Sequence, residues 1–399
     1  ARAGYRLEQV EVVIIGAGAS GLMCAATAGY RGRSVVVLEH TSKVGRKILM
    51  SGGGRCNFTN IHNGPDNFLS GNPHFCKSAL SRYSARDFIE LVERHGVEYH
   101  EKTLGQLFCN ESSKEILNLL MTEADWAGVT VKTECEVFSV EQEGEGFHLR
   151  TSAMGDLTCE SLVIATGGLS IPNGGATGFA YDVAQQFGLE VTPRAAALVP
   201  FTMQPHELEW IKPLSGTSHW VKATIGKQSF TESMLFTHRG LSGPAILQIS
   251  SYWQPGSEVE IDLFPDMDLA VWLVDQREKH PNMELANLLG LKMTKRLAKA
   301  LCELWQFSGP VKQYDQRALE NIANTFHQWK VKPSGTEGYR TAEVTIGGIV
   351  TDAVSQKTME AKATPGLFFI GECLDVTGHL GGHNFQWAWA SGVAAGQAV

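Results

Sequence analysis

Residues Gly16-Ala17-Gly18-Ala19-Ser20-Gly21 form a GxGxxG turn. In such a turn Gly16 permits the tight reversal and Gly18 lets backbone approach a pyrophosphate. Gly21 lets the following helix pack closely on the preceding strand. Ala19 and Ser20 complete the turn, and the helix after it offers free N–H groups and partial positive charge that suit phosphate. Glu39 ends the next apolar run, where a carboxylate accepts hydrogen bonds from a ribose hydroxyl. An acid there disfavours a 2′-phosphate, so the pattern admits FAD or NAD rather than NADP.

Two further groups favour FAD. Gly45-Arg46-Lys47-Ile48-Leu49-Met50-Ser51-Gly52-Gly53-Gly54-Arg55-Cys56-Asn57 follows the ribose acid and would run along the pyrophosphate toward a flavin. Arg46 or Lys47 could offset phosphate charge, and Ser51, Gly52, Gly53 and Gly54 would bring backbone close to the ring. Arg55, Cys56 and Asn57 extend this candidate set. Near the other end, Gly371-Glu372 precedes Gly381-Gly382-His383-Asn384-Phe385 and a final helix. A helix N-terminus at the pyrimidine edge would stabilise negative charge on a reduced flavin. Thr166-Gly167-Gly168 ends another buried strand near the adenosine or pyrophosphate. Val137 and Gly348 are further candidate cofactor contacts.

These residues need a scaffold, and the pattern supplies one. Val10–Ile15 (VEVVII) and Ser34–Leu38 (SVVVL) read as strands buried on both faces, with the Ala-rich helix Leu22–Tyr30 between them. That is a βαβ unit with a parallel sheet. Ala85–His95 and Tyr181–Phe187 read as helices. Val129–Val140 and Gly146–Arg150 read as a small antiparallel layer, and Leu162–Ala165 as another buried strand. Short alternating segments follow, Val221–Ile225, Ser229–Phe236 and Val259–Phe264, which suggest a compact antiparallel barrel. Leu269 to about Trp329 is helical in pattern. Glu343–Ile349 and Leu367–Ile370 return to strand, and Phe385–Val399 is a Trp- and Ala-rich helix. The expected organisation is a cofactor domain (1–188), an inserted β-barrel (189–267), a helical subdomain (268–332), and a return to barrel and cofactor domain (333–399).

Composition narrows the partners. The 399 residues carry a formal net charge of −8, a prior against broad nucleic-acid binding that a local patch can override. No apolar run reaches the ~20 residues of a membrane helix. The N-terminus, Ala1–Gln9, has no signal-peptide pattern. The eight cysteines are scattered without a CxxC pair, which argues against zinc or a disulfide framework and for a cytoplasmic setting.

Four stretches, GRKILMSGGGRCNFTN (45–60), LFTHRGLSGPA (235–245), GTEGYRTAEVTIGGI (335–349) and GECLDVTGHLGGHNFQWAWASG (371–392), resemble the BaiN/RdsA family of bacterial flavoproteins. The resemblance covers essentially the whole chain. It implies an α/β fold, a glutathione-reductase-like FAD-binding Rossmann domain with an inserted β-barrel and a helical subdomain. No second nicotinamide-binding unit is implied, so NADH or NADPH would visit transiently. Family members are linked to dihydrouridine formation in large-subunit ribosomal RNA, enone-type steroid reduction and aminoacetone oxidation. The sequence looks most like the ribosomal RNA branch, with small-molecule oxidation or enone reduction as the alternative.

Under that resemblance a uracil would receive hydride from flavin N5 at C6 and a proton at C5. The proton donor must lie within hydrogen-bond reach and have a pKa near neutral. His238, Cys56 and His383 are candidates by residue type, with His379 and Cys373 beside them. Arg340 could hold a phosphate or a uracil carbonyl. Lys292, Lys295, Arg296 and Lys299, spaced i, i+3, i+4, i+7, would line one helical face, with Leu291, Leu297 and Leu301 turned away. They lie in a slightly basic region of an acidic chain, the expected side for ribosomal RNA.

Overall fold

The computed structural model describes residues 7–170, 172 and 175–399, so Ala1–Arg6 of the polar N-terminus lie outside the described residues. The chain divides into two compact units, one made of 1–195 with 344–399, the other of 196–343. Each has its own apolar core.

The first unit is built on a seven-stranded sheet. Its strands are β1 (Glu8–Ile15), β2 (Val35–Leu38), β3 (Thr130–Lys132), β4 (Val137–Glu143), β5 (Gly146–Thr151), β6 (Asp156–Ile164) and, beyond the short strand β7 (Val344–Ile346), β8 (Leu367–Phe369). The order is β3-β2-β1-β6-β5-β4, with β8 also on β6. The long strand β6 explains this branching. Its first half pairs antiparallel with β5, and its last three residues pair parallel with β8 on the same edge. The central pairs β1–β2 and β1–β6 are parallel, and along Val12–Ile15, Val35–Leu38 and Ser161–Ile164 their side chains are sealed, as a sheet covered on both faces requires. The expected separate layer over 129–150 is instead part of this sheet. Thr130–Lys132 extends the parallel edge on β2, while β4 and β5 add the antiparallel edge.

Helix α1 (Ala19–Tyr30) crosses from β1 to β2, α2 (Lys114–Trp126) follows the 45–110 segment, and α3 (His383–Ala398) closes the unit. Small residues allow α1 and α3 to touch. A Cβ built on Gly392 would sit 2.7 Å from the Ser20 carbonyl oxygen, and one on Gly396 would sit 2.6 Å from Thr27. This contact packs α3 against Ser20 in the glycine turn and the helix that follows it.

The second unit holds a seven-stranded antiparallel sheet, in which Ser218–Ile225 and Gln228–Phe236 form the longest hairpin. The pairing is an open order running from Trp329–Val331 to Gly335–Thr336. Among the described residues no pair closes it into the expected barrel. Four helices between Leu269 and His327 share one core with this sheet rather than forming a separate one. Among the described residues, no helix is long and apolar enough to cross a membrane.

Candidate functional site

The glycine turn lies where β1 ends. Gly16 has φ +113°, and its N–H donates to Leu38 O at 2.8 Å, fixing the turn to the end of β2. A Cβ on Gly16 would lie 2.3 Å from the Ala165 carbonyl oxygen. One on Gly21 would lie 1.9 Å from that of Gly16. Gly18 is different, because nothing lies within 4 Å of its would-be Cβ. The first and third glycines are thus required by the protein's own packing, whereas Gly18 keeps a space clear. Ala19 and Ser20 start α1 directly behind it.

Glu39 is held in place from several sides. Its Oε1 accepts from the Ala17 N–H (3.2 Å), and Oε2 accepts from the Thr41 N–H and hydroxyl, each at 2.9 Å. Burial acts to raise its pKa, but bonds from His40, Thr41 and Ala17 win and keep it below the usual carboxylate value. A carboxylate kept charged beside the glycine turn suits a ribose diol. The segment after β3 lies against it, with the Cys135 N–H donating to Glu39 O (2.9 Å). Val137 stands two residues further on.

The expected basic loop after Glu39 is partly helical. Arg46–Met50 is one α-turn, and Ser51–Gly54 is a 3-10 turn whose glycines 52, 53 and 54 have φ of +57°, +64° and +85°. Left-handed backbone of this kind favours glycine. Gly53 and Gly54 face open space, whereas Gly52 packs on Asn57 and Phe108. Ser51 caps Ile48 O (2.7 Å), and Arg55 is exposed. Lys47 reaches across to the chain's other end, with Nζ 3.2 Å from Glu372 Oε2. Glu372 Oε1 accepts from the Thr345 N–H (2.6 Å), and Thr345 Oγ1 accepts from the Leu169 N–H (2.8 Å). Gly168 packs on Thr345, and Gly167 points at Lys47 Nζ, 3.8 Å from its would-be Cβ. Lys47, Gly167, Gly168, Thr345 and Glu372 therefore form one cluster. Thr345 was absent from the sequence candidates, since one threonine in a β-branched run carries no signal.

The C-terminal segment joins from the other side. Gly371 (φ +75°) packs on Ser20 of the glycine turn, and its N–H donates to Ser391 Oγ (3.0 Å). Gly382 (φ +95°) starts α3. With the Asn57 amide oriented to satisfy both its ends, its oxygen accepts from the Gly382 N–H at 3.0 Å. Gly381 O accepts from Asn60 (3.0 Å), Asn384 clasps Gly378 N–H and O, and Phe385 stacks on Trp389. Gly348 (φ +153°) packs on Cys373 O, and its carbonyl accepts from Thr192.

Two buried polar atoms in this region have no protein partner, Thr166 Oγ1 and Arg46 Nε. Buried polar groups are normally bonded, so each is free for a ligand. Together with the clear space at Gly18, Gly53 and Gly54, the charged Glu39 and two helix N-termini, these residues fit FAD.

The proposed acids and bases divide sharply. Cys56 and Cys373 are sealed (0% exposed), and burial pushes both thiols up to about 12, so neither suits proton donation to a substrate. His383 is 4% exposed, and burial, with His379 and His62 adding to it, pushes it down to about 3. Its Nδ1 meets Asn63 Nδ2 at 2.9 Å, which assigns the ring proton to Nε2. Neutral imidazole can donate a hydrogen bond but is a poor acid. His379 is likewise pushed down to about 4 by burial. In the second unit His238 is exposed with Nδ1 3.2 Å from Ser215 Oγ, and Arg340 is exposed without a hydrogen-bond or charge partner among the described residues. Sequence reading also missed Glu343, an exposed residue whose carboxyl is nonetheless crowded by protein. That desolvation raises it to about 7.

The expected four-residue basic helix face needs correction. The helix spans Lys295–Leu304, capped by Thr294 Oγ1 accepting from the Leu297 N–H at 3.3 Å. Lys292 precedes the cap and lies over the Trp272 ring, and Leu291 is exposed rather than turned inward. Lys295, Arg296 and Lys299 are on the helix and exposed.

The pattern of the family described as the HI0933-like protein Rossmann domain matches residues 10–398. The chain belongs to this family. It is 52% identical over 395 residues to a ribosomal RNA dihydrouridine synthase of Escherichia coli, covering 98% of each chain. It is 47% identical over 399 residues to the protein of that name from Haemophilus influenzae, again covering 98% of each. A solved 3-ketosteroid-Δ4-(5α)-dehydrogenase from Rhodococcus jostii shares the fold (TM-score 0.51) at 14% identity, covering 99% of both chains.

Proposed function

We propose that this HI0933-like chain is an FAD-dependent oxidoreductase that reduces one uridine of 23S ribosomal RNA to dihydrouridine, with NADH or NADPH as transient electron donor. The observation that carries this reading is full-length identity of 52% and 47% to two proteins named for that reaction. The cradle agrees with its FAD-dependent part, because among the described residues it fits FAD at a single nucleotide turn.

The protein's own residues would divide the work as follows. Gly16, Gly18, Ala19, Ser20 and Gly21 take the pyrophosphate, and Glu39 takes the adenosine ribose. Arg46, Lys47, Thr166 and Gly167 border the phosphates and flavin, while Gly381, Gly382, His383 and Asn384 present α3's N-terminus. When bound, FAD supplies the hydride that uracil C6 accepts. The C5 proton needs a group that is both accessible and acidic near neutrality. His238 and Glu343 meet the access requirement; Cys56, Cys373, His379 and His383 do not suit the role. Arg340 offers a free guanidinium to a phosphate or carbonyl. Lys295, Arg296 and Lys299 supply cationic contacts to the RNA.

Removing the gene from its host and mapping dihydrouridine in ribosomal RNA by mass spectrometry tests the reading. Loss of one dihydrouridine, restored by the intact gene, supports it. An unchanged modification map refutes it.

A further inference from the structure

We propose that one exposed surface of the second unit is a single-stranded RNA clamp, in which cationic side chains follow the phosphates and Trp220 stacks on an unpaired base. This rests on the ribosomal RNA reading above and adds where and how the RNA is held.

The hub is the turn at Lys212–Ser215. The Arg296 guanidinium donates to Pro213 O, which ties the first turn of the helix Lys295–Leu304 to it. Ser215 Oγ meets His238 Nδ1 at 3.2 Å, which ties in the Thr237–Gly240 turn. Three segments far apart in sequence thus bring Lys212, His238, Arg239, Lys295, Arg296 and Lys299 around one turn. All six are exposed. Among the described residues, only Arg239 of the six has a carboxylate partner, Glu337 at 3.4 Å. Among the described residues Lys212, Lys295, Arg296 and Lys299 have no carboxylate within ion-pair distance, and on a chain of net charge −8 such a group favours an anionic partner. Segment 268–332 holds ten basic and seven acidic side chains, so the local sign is opposite to that of the whole.

The hub turn runs directly into the strand Ser218–Ile225, where Trp220 is the third residue. Strand alternation puts Val221 and Ala223 in the core (0% exposed) and Ser218, Trp220 and Lys222 on the outer row. Trp220 is 45% exposed, and its cross-strand neighbour is the small Ser233. It makes no ring contact among the described residues. A half-exposed indole on the strand that follows a cationic turn is a combination that holds single strands, with base on ring and phosphate on cation. Regular duplex would offer no splayed base to the indole, so the surface selects a loop or an opened strand.

The test uses the full-length, FAD-loaded protein and a labelled 12-nucleotide oligouridylate, with affinity measured across a salt series. Replacing Lys212, Lys295 and Lys299 together by Ala (Arg296 is kept because it holds the turn) should weaken binding. It should also flatten the log–log salt dependence by roughly 2, at ~0.7 per lost phosphate contact on a single strand. Trp220→Ala should lose roughly tenfold in affinity with the salt slope unchanged, and Trp220→Phe should recover most of it. Unchanged melting temperatures and flavin content would show that these exposed substitutions leave the fold intact. Wild-type affinity and slope in both variants overturn the clamp. So does displacement of the oligouridylate by polyglutamate of equal charge, which would mark an acidic-protein site. If the wild type installs dihydrouridine in cells while the clamp fails these tests, the substrate reading stands and the surface assignment falls. If the wild type neither binds the oligonucleotide nor changes ribosomal RNA, the substrate reading falls with it.

Discussion

Lys47 Nζ lies 3.2 Å from Glu372 Oε2, joining two residues 325 positions apart. The pair ties the segment after Glu39 to the residues just past β8, and Glu372's other oxygen holds the Thr345 N–H. One ion pair therefore fixes both rims of the proposed flavin site. Lys47 is about one-third exposed and Glu372 less, so the pair's value is reduced by solvent screening. Lys47→Met should weaken FAD binding by roughly tenfold, because the unpaired Glu372 would then face the cofactor's own negative charge. A fluorescence titration of the apoprotein with FAD measures this, and an unchanged Kd would remove Lys47 from the site.

Gly18 and Gly21 should behave oppositely. Gly21→Ala puts a Cβ 1.9 Å from the Gly16 carbonyl and should unfold or strongly destabilise the protein. Gly18→Ala meets no protein atom within 4 Å, so apoprotein stability should stay within ~0.5 kcal/mol. Flavin content should nevertheless collapse, because the added methyl would fill the space proposed for the pyrophosphate. Thermal melts of the apoprotein, read beside the flavin absorbance, separate the two effects.

Much of the first unit was legible because its signals are local. Short apolar runs mark β1, β2, β6 and β8, and Gly16–Gly21 with Glu39 marks the proposed nucleotide half of the site. The proposed flavin half is assembled by pairings such as Lys47–Glu372 and Asn57–Gly382, which no spacing rule connects. The basic face was misread because a 3.6 period runs smoothly through 292–299, while Thr294, as N-cap, starts the helix only at Lys295. Barrel closure could not be read from alternation, because closure depends on which edge strands meet. Glu343 gave no sequence signal, since its raised pKa comes from burial in the folded chain.

Glu343, raised to about 7 by burial, is protonated below that pH and charged above it. If it gives the C5 proton, turnover should fall as pH rises through about 7. Glu343→Gln should remove that limb and lower the rate by ~100-fold or more, within the usual range for a general acid. His238→Asn is the parallel test. A pH–rate profile unchanged in Glu343→Gln assigns the proton to another group.

His383 makes an opposite acid-side prediction. Its folded pKa, about 3, is below the ordinary histidine value, so the unfolded chain binds the proton first as pH falls. The stability tied to its neutral form is present above the unfolded pKa and is lost on acidification toward 3. At pH 5 the loss is about 2 kcal/mol. His383→Gln should melt with a shallower dependence on pH between 6.5 and 4 than the wild type. Equal slopes would mean that the imidazole is not held neutral.

The central claim is that this protein reduces uridine in ribosomal RNA using bound FAD. Its most direct measurement is in vitro, with the purified FAD-loaded protein, NADH or NADPH, and ribosomal RNA from a strain lacking the gene. After nuclease digestion, mass spectrometry should show one uridine heavier by about two mass units, the hydride and proton together. A flavin that reoxidises on small molecules or oxygen while every uridine keeps its mass would contradict the account.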